Sequence, residues 1–90
     1  MLNLKTTAKY RKDRKLAVKR GLPMERLDVV LETLVEEKPL TPDHKDHALF
    51  GNYTGFRECH IQPDWLLIYK IDRGSLILTA ARTGSHSDLF

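Results

Sequence analysis

The spacing of apolar residues changes midway through this chain, from steps of three and four to steps of two, which predicts helices first and strands after. Leu2 and Leu4 alternate with polar neighbours and predict a short N-terminal edge strand, and Thr6-Thr7 can cap the helix that follows. Residues 7 to 20 read as that helix, with Tyr10, Leu16 and Ala17 as a narrow apolar stripe and Gly21 as its stop. Pro23 opens a second helix carrying Met24, Leu27, Val30, Leu31 and Leu34, and Lys38-Pro39 ends it, because the residue before a proline is pushed out of helical geometry. The link between the two helices is very short, so they are expected to form an antiparallel hairpin.

Residues 39 to 54 have no period of their own, and a connection of that length is usually functional or mobile. Three strands are then predicted, over Phe56 to Gln62, Trp65 to Ile71 and Leu76 to Ala81, with Pro63-Asp64 and Asp72-Arg73-Gly74 supplying the turns. The expected fold is α+β: an N-terminal helical hairpin packed on an antiparallel sheet in one domain spanning residues 1 to 90. One face of the sheet must cover the hairpin. The other face, with its mouth near the Pro63 turn and the C-terminal tail, is left for function.

Charge sharpens this picture. Residues 1 to 20 hold eight Lys/Arg against the single acid Asp13, a net +7 in a chain whose total is +3. Such a segregated cationic segment fits a nucleic-acid backbone or an acidic protein partner, the competing reading being a solvated helix face. No stretch is long and apolar enough to span a membrane and no secretory leader pattern is visible, so a cytoplasmic protein is expected. The single thiol, Cys59, excludes an internal disulfide framework and reads as a small buried hydrophobe, pointing away from the face of its neighbour His60.

The C-terminal third carries the chemistry. Cleaving RNA without a metal needs a base for the 2′-hydroxyl, an acid for the leaving 5′-oxygen, and cations for the charge that builds on phosphorus. His47, His60, Asp64 and His86 are the candidates for proton transfer. Arg82 is the candidate phosphate ligand, Lys45 a secondary charge, and Trp65 and Phe90 are possible stacking surfaces. Each has a structural alternative: Trp65 as core, His60 as a satisfied strand histidine, Arg82 as the partner of Asp64 or of the terminal carboxylate. His44 reads as solvated. No metal and no cofactor are expected, because His44-x-x-His47 sits in a loop and the adjacent Cys59 and His60 point to opposite sides of a strand. No phosphate-binding glycine loop or nucleophile elbow is present either.

The runs Lys45-Asp-His47-Ala-Leu-Phe-Gly51, His60-Ile-Gln-Pro-Asp64-Trp65 and Arg82-Thr-Gly84-Ser-His86-Ser-Asp-Leu-Phe90, taken together, resemble the YafQ branch of the RelE/ParE toxin superfamily. The resemblance covers nearly the whole chain. It implies a RelE-like fold and a type II toxin that cuts mRNA in the ribosomal decoding site, is neutralised by a cognate antitoxin, and meets operator DNA only through the antitoxin complex. By motif position, it implies that His47, His60, Asp64 and His86 form the acid–base set and Arg82 stabilises the scissile phosphate. Trp65 and Phe90 would position the substrate or the catalytic side chains, and the basic segment would contact ribosomal RNA. Two alternatives on the same fold remain open at this point: a ParE-like gyrase inhibitor, and a non-catalytic RNA- or protein-binding module.

Overall fold

Thr7 caps the first helix, its hydroxyl accepting from the Tyr10 amide, and the same hydroxyl donates to the Ala81 carbonyl at 2.6 Å. That contact joins the two ends of the chain. The computed structural model describes residues 1–90, in the order β1 (Asn3–Thr6), α1 (Ala8–Lys19), α2 (Met24–Val35), β2 (His47–Ala48), β3 (Arg57–Gln62), β4 (Trp65–Asp72), β5 (Ile77–Gly84) and α3 (His86–Leu89). The strands form one sheet, ordered β1-β5-β4-β3-β2, in which β1 is parallel to β5 and every other pair is antiparallel.

The α+β class, both N-terminal helices and the three-stranded meander match the sequence reading. Three features extend it. The edge strand lies over Asn3–Thr6 rather than Leu2–Leu4, because Leu2 is buried in the core. Within the irregular stretch, two short 3₁₀ turns bracket β2, which closes the far edge of the sheet. The last strand runs on to Gly84 and hands the chain to α3, whose Ser85 and Asp88 form a reciprocal cap. A Cβ added at Gly84 would lie 3.0 Å from the Asp88 carboxylate, so this handover needs glycine.

Both N-terminal helices lie on one face. Tyr10 and Ala17 of α1 and Leu27, Val30, Leu31 and Leu34 of α2 pack with Cys59, Ile61, Trp65, Leu67, Tyr69, Leu78 and Ala80 of the sheet in a single buried cluster. Period-two alternation turns the intervening residues outward. On that opposite face Leu66, Ile68, Ala81 and Leu89 make a smaller cluster, edged by Leu49, Tyr53 and Phe56.

Candidate active site

Strand register brings the chemistry into two rows on the open face. His47 pairs with Glu58, Glu58 with Ile68, and Ile68 with Arg82, so four strands contribute to one line. Directly opposed residues of antiparallel strands share a face. His60, Leu66 and Gly84 form the neighbouring row. A bulge at Ala81, the residue skipped between the Ile68–Arg82 and Tyr69–Ala80 pairs, sets Arg82 onto the open face; without it the alternation of β5 would send Arg82 inward with Ala80.

Three imidazoles are pinned in the same way. His86 Nδ1 lies 2.6 Å from Asp64 Oδ1, His60 Nδ1 lies 3.2 Å from the Pro63 carbonyl, and His47 Nδ1 lies 2.7 Å from the Lys45 carbonyl. Carbonyls and carboxylates accept, so each Nδ1 carries a proton, while the Nε2 atoms of His47 and His60 lie near Glu58 and that of His86 has no ion-pair partner. The His60 and His86 rings are 5.6 Å apart between centroids. Glu58 Oε2 is 3.4 Å from His47 Nε2, and Glu58 Oε1 is 3.8 Å from His60 Nε2. Asp64 also accepts from the His86 backbone amide at 3.0 Å. That amide first, and the His86 ring second, hold its carboxyl below the usual carboxylate range.

Arg82 is clamped rather than free. Its Nε and Nη2 donate to the two carboxylate oxygens of Asp13, at 2.7 and 3.1 Å, and Asp13 accepts the Thr83 amide as well. The lone acid of the basic segment thus covers the β5 edge beyond the end of β1 and orients the guanidinium. Neither Asp64 nor the terminal carboxylate is its partner. The Asp13 hydrogen bonds keep Arg82 firmly charged, with a smaller contribution from Tyr53. Tyr53 in turn meets the exposed Phe90 edge-on, at 5.6 Å between centroids.

One candidate is corrected. Trp65 is only 2% exposed, and its indole N–H donates to Thr83 Oγ1 at 2.9 Å, so it is a core residue and offers no face to a base. Its influence reaches the site only through Thr83, which stands between Arg82 and Gly84. Cys59 is buried as expected, and burial pushes its thiol up to about 12, leaving an inert group. His44 is not merely solvated: its Nδ1 binds the His60 carbonyl at 2.7 Å. Glu58 is the residue that sequence reasoning passed over, although a charge two positions before His60 in a strand-like run was the available signal.

Spacing along the chain argued against a metal site at His44-x-x-His47 or Cys59-His60, and the fold gathers a different set of donors. Donor atoms of Glu58, His60 and His86 lie within 4.8 Å of one another, an N/N/O set suited to zinc or copper. Glu58 and His60 are two residues apart on β3, but His86 comes from 26 residues further on, so spacing alone could not reveal the set.

The open face thus gathers three imidazoles, two carboxylates and a guanidinium from five elements of the fold. The chain belongs to the YafQ family, bacterial toxins of type II toxin–antitoxin systems, whose family model matches residues 2–90. It is 39% identical over 89 residues to the mRNA interferase toxin YafQ of Escherichia coli K12, covering 98% of this chain and 95% of that protein. Among solved structures it superposes on a metal-bound toxin from Helicobacter pylori with a TM-score of 0.94 at 46% identity, each chain covered completely. YafQ in the E. coli DinJ–YafQ complex matches with a TM-score of 0.91 at 36% identity, covering 100% of this chain and 99% of that one.

Proposed function

We propose that this chain is a ribosome-dependent mRNA endoribonuclease, held inactive by a cognate antitoxin in the cytoplasm. The observation that carries the reading is the set of three imidazoles whose Nδ1 atoms are all engaged, two of them with rings 5.6 Å apart. In the proposed reaction one of His60 and His86 takes the 2′-hydroxyl proton through Nε2. The resulting alkoxide attacks phosphorus. The bond to the 5′-oxygen breaks as the other ring, which must enter the cycle as an imidazolium protonated on Nε2 as well as Nδ1, delivers its Nε2 proton to that oxygen, leaving a 2′,3′-cyclic phosphate and a neutral imidazole. Asp64 keeps the His86 ring in one tautomer, Glu58 lies between His47 and His60, and Arg82 stabilises the charge on the phosphoryl oxygens.

Phe90, exposed at the mouth, offers the stacking surface, and Lys45 a further charge. The uncompensated lysines of α1, Lys9, Lys12, Lys15 and Lys19, face ribosomal RNA. An acidic antitoxin segment has charge complementarity to this same chain, in keeping with the DinJ–YafQ pairing of the relative. A divalent ion held by Glu58, His60 and His86 would polarise a phosphoryl oxygen. It would also occupy nitrogens that the scheme above assigns to protons.

Primer extension on a reporter mRNA in a reconstituted translation system, with and without ribosomes, tests the reading. Cuts at defined codon positions that need both ribosomes and His86 are expected. Cuts without ribosomes would make the protein a free ribonuclease. No cuts in either arm would overturn the nuclease reading in favour of gyrase inhibition or a non-catalytic role.

A further inference from the structure

Where the first turn of α2 meets the end of β3, a depression of about 310 Å³ is lined by Arg26 of α2, by Asp43, His44 and Lys45 from the loop before β2, and by His60 and Pro63. That volume lies at the lower end of the roughly 300–1,000 Å³ range of pockets that hold small ligands. Its charges are unusually free. Arg14, Arg20, Arg57, Arg73 and Arg82 each donate to a carboxylate, and Arg11 to Thr6. Arg26 alone among the arginines has no side-chain hydrogen bond or ion pair, and Lys45 has no ion pair either. His44 is fixed through Nδ1 to the His60 carbonyl, which leaves its Nε2 available. The one acid of the lining, Asp43, accepts from the Thr41 hydroxyl at 2.6 Å.

Two depressions flank the Pro63 turn, and either could receive the strand on one side of a phosphate seated at His60 and His86. The depression across that turn, beside Asp64, contains Arg20, but Asp88 neutralises it at 2.6 Å. Free positive charge therefore lies on the Arg26 side. We propose that this depression is a subsite for the mRNA nucleotide flanking the scissile phosphodiester, with Arg26 and Lys45 on its phosphate oxygens and His44 Nε2 on its sugar or base edge. The proposal rests on the mRNA-cleavage reading above.

Single-turnover cleavage on programmed ribosomes, measured against toxin concentration, tests it. Arg26→Ala is expected to raise the half-maximal concentration about tenfold while leaving the plateau rate unchanged. Its log–log salt slope should be shallower by about 0.7, the value for one lost phosphate contact on a single strand. Asp43→Asn should lower the half-maximal concentration, a gain that misfolding cannot imitate. Neutral methylphosphonate linkages placed one at a time beside the cut should weaken the wild type at one position and leave Arg26→Ala no weaker there. Variants within twofold of wild type, or an Arg26→Ala defect confined to the plateau, would overturn the subsite. Failure of every methylphosphonate to couple to Arg26 would overturn mRNA as the occupant and assign the depression to the ribosome. A wild type that cleaves nothing would fail the nuclease reading itself, whereas normal cleavage with unresponsive variants fails the subsite alone.

Discussion

The two faces of this sheet use the same strands for opposite purposes. On the covered face Cys59, Trp65, Leu67 and Tyr69 alternate into a cluster sealed by α1 and α2. On the open face Glu58, His60, Ile68 and Arg82 stand on the same strands, one residue out of step. The contrast teaches a division of labour. Packing on one side supplies rigidity, and that rigidity lets the other side hold polar groups in fixed rows. Thr83 and Trp65 connect the two, because the buried indole N–H is satisfied by the hydroxyl next to Arg82.

The sharpest way to separate the faces is His86→Ala. It removes the free Nε2 but leaves the backbone amide that holds Asp64, so cleavage should fall about 10²- to 10⁴-fold while the thermal midpoint barely moves. Primer-extension rates alongside a melting curve decide this; a collapsed melt would place His86 in the scaffold. Leu67→Ala should do the converse, since Leu67 is fully buried on the covered face. A loss of about 2–5 kcal/mol in urea unfolding is expected, with cleavage per folded molecule retained.

Thr83→Val probes the connection between the faces. Stranding the Trp65 indole N–H in the core should cost about 1–3 kcal/mol by the same unfolding measurement. If cleavage per folded molecule also drops, the core positions Arg82 more directly than the hydrogen bonds imply. The smallest effect is expected from Asp88→Asn. The hydrogen bond from Arg20 chiefly, and the Ser85 amide next, hold the Asp88 carboxyl far below the usual range. A depressed carboxyl contributes stability above its unfolded pKa of about 3.9, and that contribution is lost as pH falls toward the folded value. Wild type should therefore lose stability progressively below about pH 4, and the variant less steeply, with under about 1 kcal/mol separating them at pH 7. Urea midpoints across this range give the comparison.

Much of the scaffold could be read directly from the residues. The apolar steps of α2, the glycine after α1 and the turn chemistry at Pro63-Asp64 are local signals, each acting within one or two turns of chain. The candidate proton-transfer residues were also visible, as residue types and, more specifically, as motifs resembling one family. Trp65 was misplaced as a stacking surface because an aromatic at the head of an apolar strand looks the same from sequence whether a helix covers it or solvent does. Glu58 was passed over because a glutamate in a strand gains meaning only when two histidines from different strands converge on it.

Sequence alone determined the order of helices and strands, the segregation of positive charge, and the alternation that separates core from open face, since all of these depend on neighbours a few residues apart. Tertiary structure decided the partners. Asp13 reaches Arg82, Asp64 reaches His86, and Arg26 joins Lys45 across gaps of 69, 22 and 19 residues. Strand register, the bulge at Ala81 and the seating of α1 on the β5 edge set those meetings, and they depend on how the whole chain buries its apolar surface.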